Sequence, residues 1–101
     1  MNTLENFATP EVYNRIKNNI PKTEEFGIIV QTTEGGTNYL FLHSPGFLYN
    51  LGSFGLLETW KDSLVTFETE DLAYEKATLI LRKLPEGSKF WIFNTKTKEI
   101  V

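Results

Sequence analysis

The sequence predicts an α+β domain of two layers, in which about four mainly antiparallel strands carry one long helix (69–84) and a short N-terminal helix (10–19) packs nearby. Three features lead to that class. A capped amphipathic segment begins at Thr69; an apolar run without alternation, Phe90-Trp91-Ile92-Phe93, follows it after Pro85-Glu86-Gly87; and two β-rich runs flank Gly35-Gly36. The chain has 101 residues, 41% hydrophobic and 23% charged, enough for one core without disulfides or metal, so it is read as a single domain, 1–101.

Taken in order, Thr9-Pro10-Glu11 opens a helix with a hydroxyl cap, a proline where no amide is missed, and an acid near the dipole. Val12, Ile16 and Ile20 recur at every fourth position, and Pro21 ends the segment. Residues 26–32 and 38–43 read as strands of a hairpin, because the glycines between them supply the positive φ of a tight turn. Residues 63–67 form a third strand that feeds the long helix.

Thr69 is placed to accept from a free first-turn amide, and Glu70 and Asp71 stand at the positive end of the helix dipole. At about 100° per residue, Ala73, Ala77, Ile80, Leu81 and Leu84 share one arc, and Asp71, Glu75, Thr78 and Arg82 the other. Leu84 is pushed out of the α region by Pro85, and Gly87 can take a positive φ. Residues 90–93 then read as the central strand, and 94–101 turn back as a short hairpin or fray. Because 39–42 and 90–93 are apolar at consecutive positions, both sheet faces need cover. One helix cannot cover both. The N-terminal helix with segment 44–57, a second copy, or a foreign partner must complete the task.

Segment 44–57, Ser-Pro-Gly-Phe-Leu-Tyr-Asn-Leu-Gly-Ser-Phe-Gly-Leu-Leu, is read as an apolar glycine-rich loop. Loops are normally polar, whereas fully burying a Phe or Leu contributes ~1.5–3 kcal/mol. Such a loop is either a lid on the core or an interaction surface. As an interaction surface it offers Phe47, Tyr49 and Phe54, with Trp60 just beyond, as aromatic anchors.

No stretch carries a catalytic or cofactor motif. The chain has no cysteine, which removes disulfides, a thiol nucleophile and a cysteine zinc site, and fits a reducing, cytoplasmic setting. His43 is the single histidine, and the adjacent Ser44 points to the opposite strand face, so no nucleophile and base are paired. Glu68, Glu70, Asp71 and Glu75 lack metal-loop spacing and are explained as helix-start acids. Neither Gly35-Gly36 nor Gly52-Ser53-Phe54-Gly55 matches a phosphate fingerprint, so no cofactor, no metal and no enzymatic activity are expected. Residues 1–80 hold five basic and eleven acidic side chains and 81–101 five basic and two acidic, −6 against +3. That balance gives no dominant basic face, and nucleic acid is not an expected partner. No run approaches the ~18 apolar residues of a membrane span, and no signal peptide opens the chain.

From Trp60 onward, the order of a tryptophan, a short gap, Leu64-Val65-Thr66-Phe67-Glu68-Thr69-Glu70-Asp71-Leu72-Ala73, a helix and an aromatic strand resembles short phage and bacterial accessory proteins. The resemblance implies a class that binds and blocks a host enzyme or defence complex, and it carries no residue map. The expected function is a small non-enzymatic protein-binding domain, of the phage-encoded inhibitor type, acting through 44–57 on a protein partner or on a second copy as a homodimer. The alternative is a small-ligand binding or sensor domain, with a pocket beside His43 and Tyr39 closed by the same segment.

Overall fold

Short apolar stretches of extended backbone pair into one antiparallel sheet in the computed structural model, which describes residues 3–7, 10–11, 13–14, 23–33, 39–44, 49–51, 54–57 and 64–101. A 3-10 turn at Leu4–Asn6 precedes β1 (Phe26–Gln31), β2 (Leu40–His43), β3 (Tyr49–Leu51), β4 (Phe54–Leu57), β5 (Thr66–Phe67), helix α1 (Glu70–Leu81) and β6 (Lys89–Asn94). The α+β class is therefore as the sequence predicts, with six strands rather than four among the described residues.

β1 is bonded along both edges. Ile29 pairs with Phe41 of β2 and with Trp91 of β6, whereas Phe26 pairs with Phe67 of β5 and with Asn94 of β6. β6 thus runs the length of one edge, and β2 and β5 share the other. β4 lies outside β2, and β3 outside β4.

Residues 90–93 are not central, as their composition suggested; β1 holds that place. The outer edge of β6 is taken at one end by the returning tail, where Phe93 bridges Ile100 and the Val101 amide donates to the Ile92 carbonyl at 2.9 Å. Asn94 makes the reversal, its Oδ1 accepting from the amides of Lys96 and Thr97, and Lys98 closes it at φ 62°. An unbroken apolar run reports cover on both faces of a strand, not neighbours on both edges.

The second correction concerns 44–57, which is not a loop throughout: β3 and β4 are strands, paired as Tyr49↔Leu56, Asn50↔Gly55 and Leu51↔Phe54. Glycines lower strand propensity, but Gly55 is held in the ladder on both sides, opposite His43 of β2 and Asn50 of β3. Of the expected 10–19 helix, Pro10, Glu11, Tyr13 and Asn14 have helical backbone, and the remaining positions lie outside the described residues. The Gly35-Gly36 turn also lies outside them.

Period-2 alternation sorts the core into two layers. Ile28, Val30, Leu40, Leu42 and Leu56 meet Ala77 and Ile80 of α1 on one face. On the other, Ile29, Phe41 and Phe93 are covered by Leu4 and Phe7, with Tyr13, Leu64 and Ile100 packed around them. The Leu4 amide donates to the Lys98 carbonyl at 2.9 Å, which seats the N-terminal turn on that face. The radius of gyration, 12.3 Å, is close to the ~13 Å of one domain this long.

α1 starts where Thr69 predicts: its hydroxyl accepts from the Leu72 amide at 3.1 Å. The helix stops at Leu81, three residues short of Leu84. The amides of Lys83 and Leu84 reach back to the carbonyls of Ile80 and Leu81 in tighter 3-10 bonds, because Leu84 precedes Pro85. Gly87 has φ 91°.

Gly27 is required for a different reason. A Cβ there would overlap Cζ and Cε1 of Phe93, which is fully buried and stacked edge-on to Phe41. Gly27→Ala should cost about 2–3 kcal/mol by overpacking. In a denaturant double-mutant cycle, Gly27→Ala combined with Phe93→Leu should cost less than the sum of the two single changes.

Candidate functional site

The residues proposed as a small-ligand site lie on one strand face. Tyr39, Phe41 and His43 alternate along the same side of the β2 region, the outer two about 13 Å apart by strand rise. His43 is fully buried, both ring nitrogens are out of contact with solvent, and its backbone pairs with Gly55 on one side and Leu64 on the other. Tyr39 is half-buried in an aromatic trio: its ring centroid is 4.9 Å from that of Phe7 and 5.6 Å from that of Trp91, which themselves stand 5.1 Å apart. Phe41 fills the space between the two polar side chains, so the structure does not bring them together.

The proposed aromatic anchors are differently placed. Phe54 is half-buried in β4 and packs on the helix-side core, and Tyr49 begins β3. Phe47 and Trp60 lie outside the described residues. β3 ends the strand order, and among the described residues it pairs with β4 alone. The pair Leu51↔Phe54 brackets a two-residue connection and exchanges ladder bonds with it, so by alternation Asn50 turns its backbone N–H and C=O away from β4. Among the described residues, no strand pairs with this edge of the hairpin.

A second surface went unnoticed in the sequence. Leu72 and Leu79, on neither arc of the helical wheel above, are 38% and 45% exposed on one flank of α1. Their i, i+7 spacing, two turns on one stripe, was the available signal. Tyr74, on the opposite flank, is 60% exposed but rests edge-on against Phe90 of β6, with centroids 5.5 Å apart.

Among the described residues, no three of His, Cys, Asp or Glu come together to hold a metal ion, and no helix is long and apolar enough to cross a membrane. The polar side chains that do converge tie the strands together. The Glu25 carboxylate accepts from the Thr66 hydroxyl at 2.6 Å and the Thr23 hydroxyl at 3.0 Å, the Thr95 hydroxyl accepts from the Glu25 amide at 2.9 Å, and Asn94 donates to Glu24 at 3.1 Å. No protein-family model matches this chain, and no curated protein or solved structure matches it.

The aromatic trio sets the expectation for Tyr39. Tyr39→Ala should cost about 2–4 kcal/mol in urea unfolding, whereas Tyr39→Phe, which keeps the ring contacts, should stay within about 0.5 kcal/mol. A large loss from the removal of the hydroxyl alone would give that oxygen a role the packing does not.

Proposed function

We propose that this chain is a small non-enzymatic protein-binding domain that takes an extended segment of its partner as an added strand along β3. The reading is supported above all by one observation: among the described residues the apolar β3–β4 hairpin ends the sheet, with the Asn50 backbone groups facing away from β4. Unpaired strand edges are templates for another chain, and natural sheets usually blunt them with charge, proline or a bulge. Here Tyr49-Asn50-Leu51 carries none of these. In strand addition, backbone bonds give the affinity and alternate side chains give the selectivity. Tyr49 and its neighbours Phe47 and Phe54 fit that second role, as aromatic contact area lost to water at modest entropy cost. The resemblance to short phage and bacterial accessory proteins makes a host enzyme or defence complex the kind of protein bound, with blockade as the result.

Proline tests the backbone directly. At Asn50 it removes an outward N–H without touching the ladder to β4, and edge strands tolerate its fixed φ. Proteins retained on the immobilised native chain and on Asn50→Ala should be lost on Asn50→Pro, with the melting temperature of each variant within a few degrees of native. Equal retention by Asn50→Pro would show that the edge is not the binding element.

A further inference from the structure

The second core layer is closed by two short segments that hold each other. Residues 98–101 lie along the outer edge of β6: the Asn94 amide donates to the Glu99 carbonyl at 2.9 Å, Phe93 bridges Ile100, and the Val101 amide donates to the Ile92 carbonyl at 2.9 Å. Residues 3 and 4 lie in turn along that segment, where Thr3 bridges Glu99 and the Leu4 amide donates to the Lys98 carbonyl at 2.9 Å. The hold is in series. β6 carries 98–101, and 98–101 carries the turn that sets Leu4 and Phe7 on Ile29, Phe41 and Phe93.

Neither segment has what it needs alone. The apolar side chains of 98–101 are a half-buried Ile100 and an exposed Val101, so its seat rests mainly on backbone bonds. In 3–7, Leu4 and Phe7 are buried, and Phe7 also completes the trio with Tyr39 and Trp91. That burial is reached by a backbone bonded to Lys98 and Glu99. Lys98 itself stands at φ 62°, a conformation unfavourable for a residue with a Cβ, and one it leaves when 98–101 swings out. The reversal before it, fixed by Asn94 Oδ1 on the amides of Lys96 and Thr97, need not move.

We infer that 98–101 is a strap and 3–7 the lid it holds, and that the two leave and reseat as one unit, opening the second face of the sheet while the rest stays folded. The ladder of β1 with β6 lies outside this unit, as do Ile28, Val30 and their contact with α1. The movement uncovers Ile29, Phe41 and Phe93, with the rings of Tyr39 and Trp91 beside them. A small unit at a sheet edge, with few backbone bonds and its own patch of core, is of the kind that opens below the free energy of global unfolding. It sits on β6, across the sheet from β3, and works whether or not β3 takes a partner strand.

Native-state hydrogen exchange in low denaturant tests the unit amide by amide. In the native chain the amides of Leu4, Phe7, Asn94 and Val101 should open with one free energy and one denaturant slope, both lower than those of Ile28 and Val30. Val101→Pro deletes the outermost strap bond at an exposed side chain, and should speed exchange at Leu4 and Phe7 about fivefold, the same factor as at Asn94. From the other side, Leu4→Val thins the lid and should speed exchange at Asn94 and Val101 by the factor seen at Phe7, again about fivefold. Acceleration confined to the mutated segment would make lid and strap independent, and amides that open only together with Ile28 and Val30 would merge the unit into the global fold. Either result, or a Val101→Pro chain that exchanges as the native one does, overturns the inference.

Discussion

Everything in this fold hangs on β1 being used on four sides at once. Its two edges carry β6 along one and β2 with β5 along the other. Its two faces feed separate cores, Ile28 and Val30 toward α1 and Ile29 toward Leu4 and Phe7. Its four middle residues, Gly27 to Val30, are buried, which is tolerable for their backbone because ladders run along both edges. The residue that lets the layers close is Gly27, whose missing side chain is replaced by the ring of Phe93 from the neighbouring strand.

The second constraint is polar. β5 fits against β1 only where β2 has ended its pairing, and that junction is held by Glu25. Thr66 reaches it from β5 and Thr23 from just upstream, while the Glu25 backbone exchanges bonds with Thr95 beyond β6. Thr95 is fully buried and Asn94 nearly so, so these bonds lie where an unmade partner is costly. Three strand ends are therefore fixed by side chains of ordinary turn-forming types.

What the sequence made legible was local. Thr69, Pro85 and Gly87 act on the backbone within a few residues, and they bracket the helix region correctly, although the i→i+3 bonds after Ile80 shorten the regular part to Leu81. The apolar runs told truly that both faces of the sheet are covered. They could not say by what, and the cover on the second face comes from Leu4 and Phe7, hydrophobic residues in a segment without periodicity. β3 and β4 were obscured because strands of three and four residues, set among the glycines of 44–57, are too short to show a pattern of their own; pairing of β4 with β2 and of β3 with β4 defines them. Of the candidate sites, the exposed α1 flank was hidden by the habit of dividing a helix into one wet and one dry face, which leaves no place for Leu72 and Leu79.

The pairing of β1 with β6 has a consequence for biosynthesis. The strand on which the sheet is founded is made well before its longest partner, with β2 to β5 and α1 between them. Closing that span costs chain entropy before any ladder bond repays it, which places the step late and makes it slow. While Lys89–Asn94 is still inside the ribosome, Ile28, Ile29 and Val30 have an open edge and no Phe93 or Ile92 beside them. Until β6 arrives the nascent chain carries β1 without its longest partner, and shielding by a chaperone matters most for this part of the molecule during that interval.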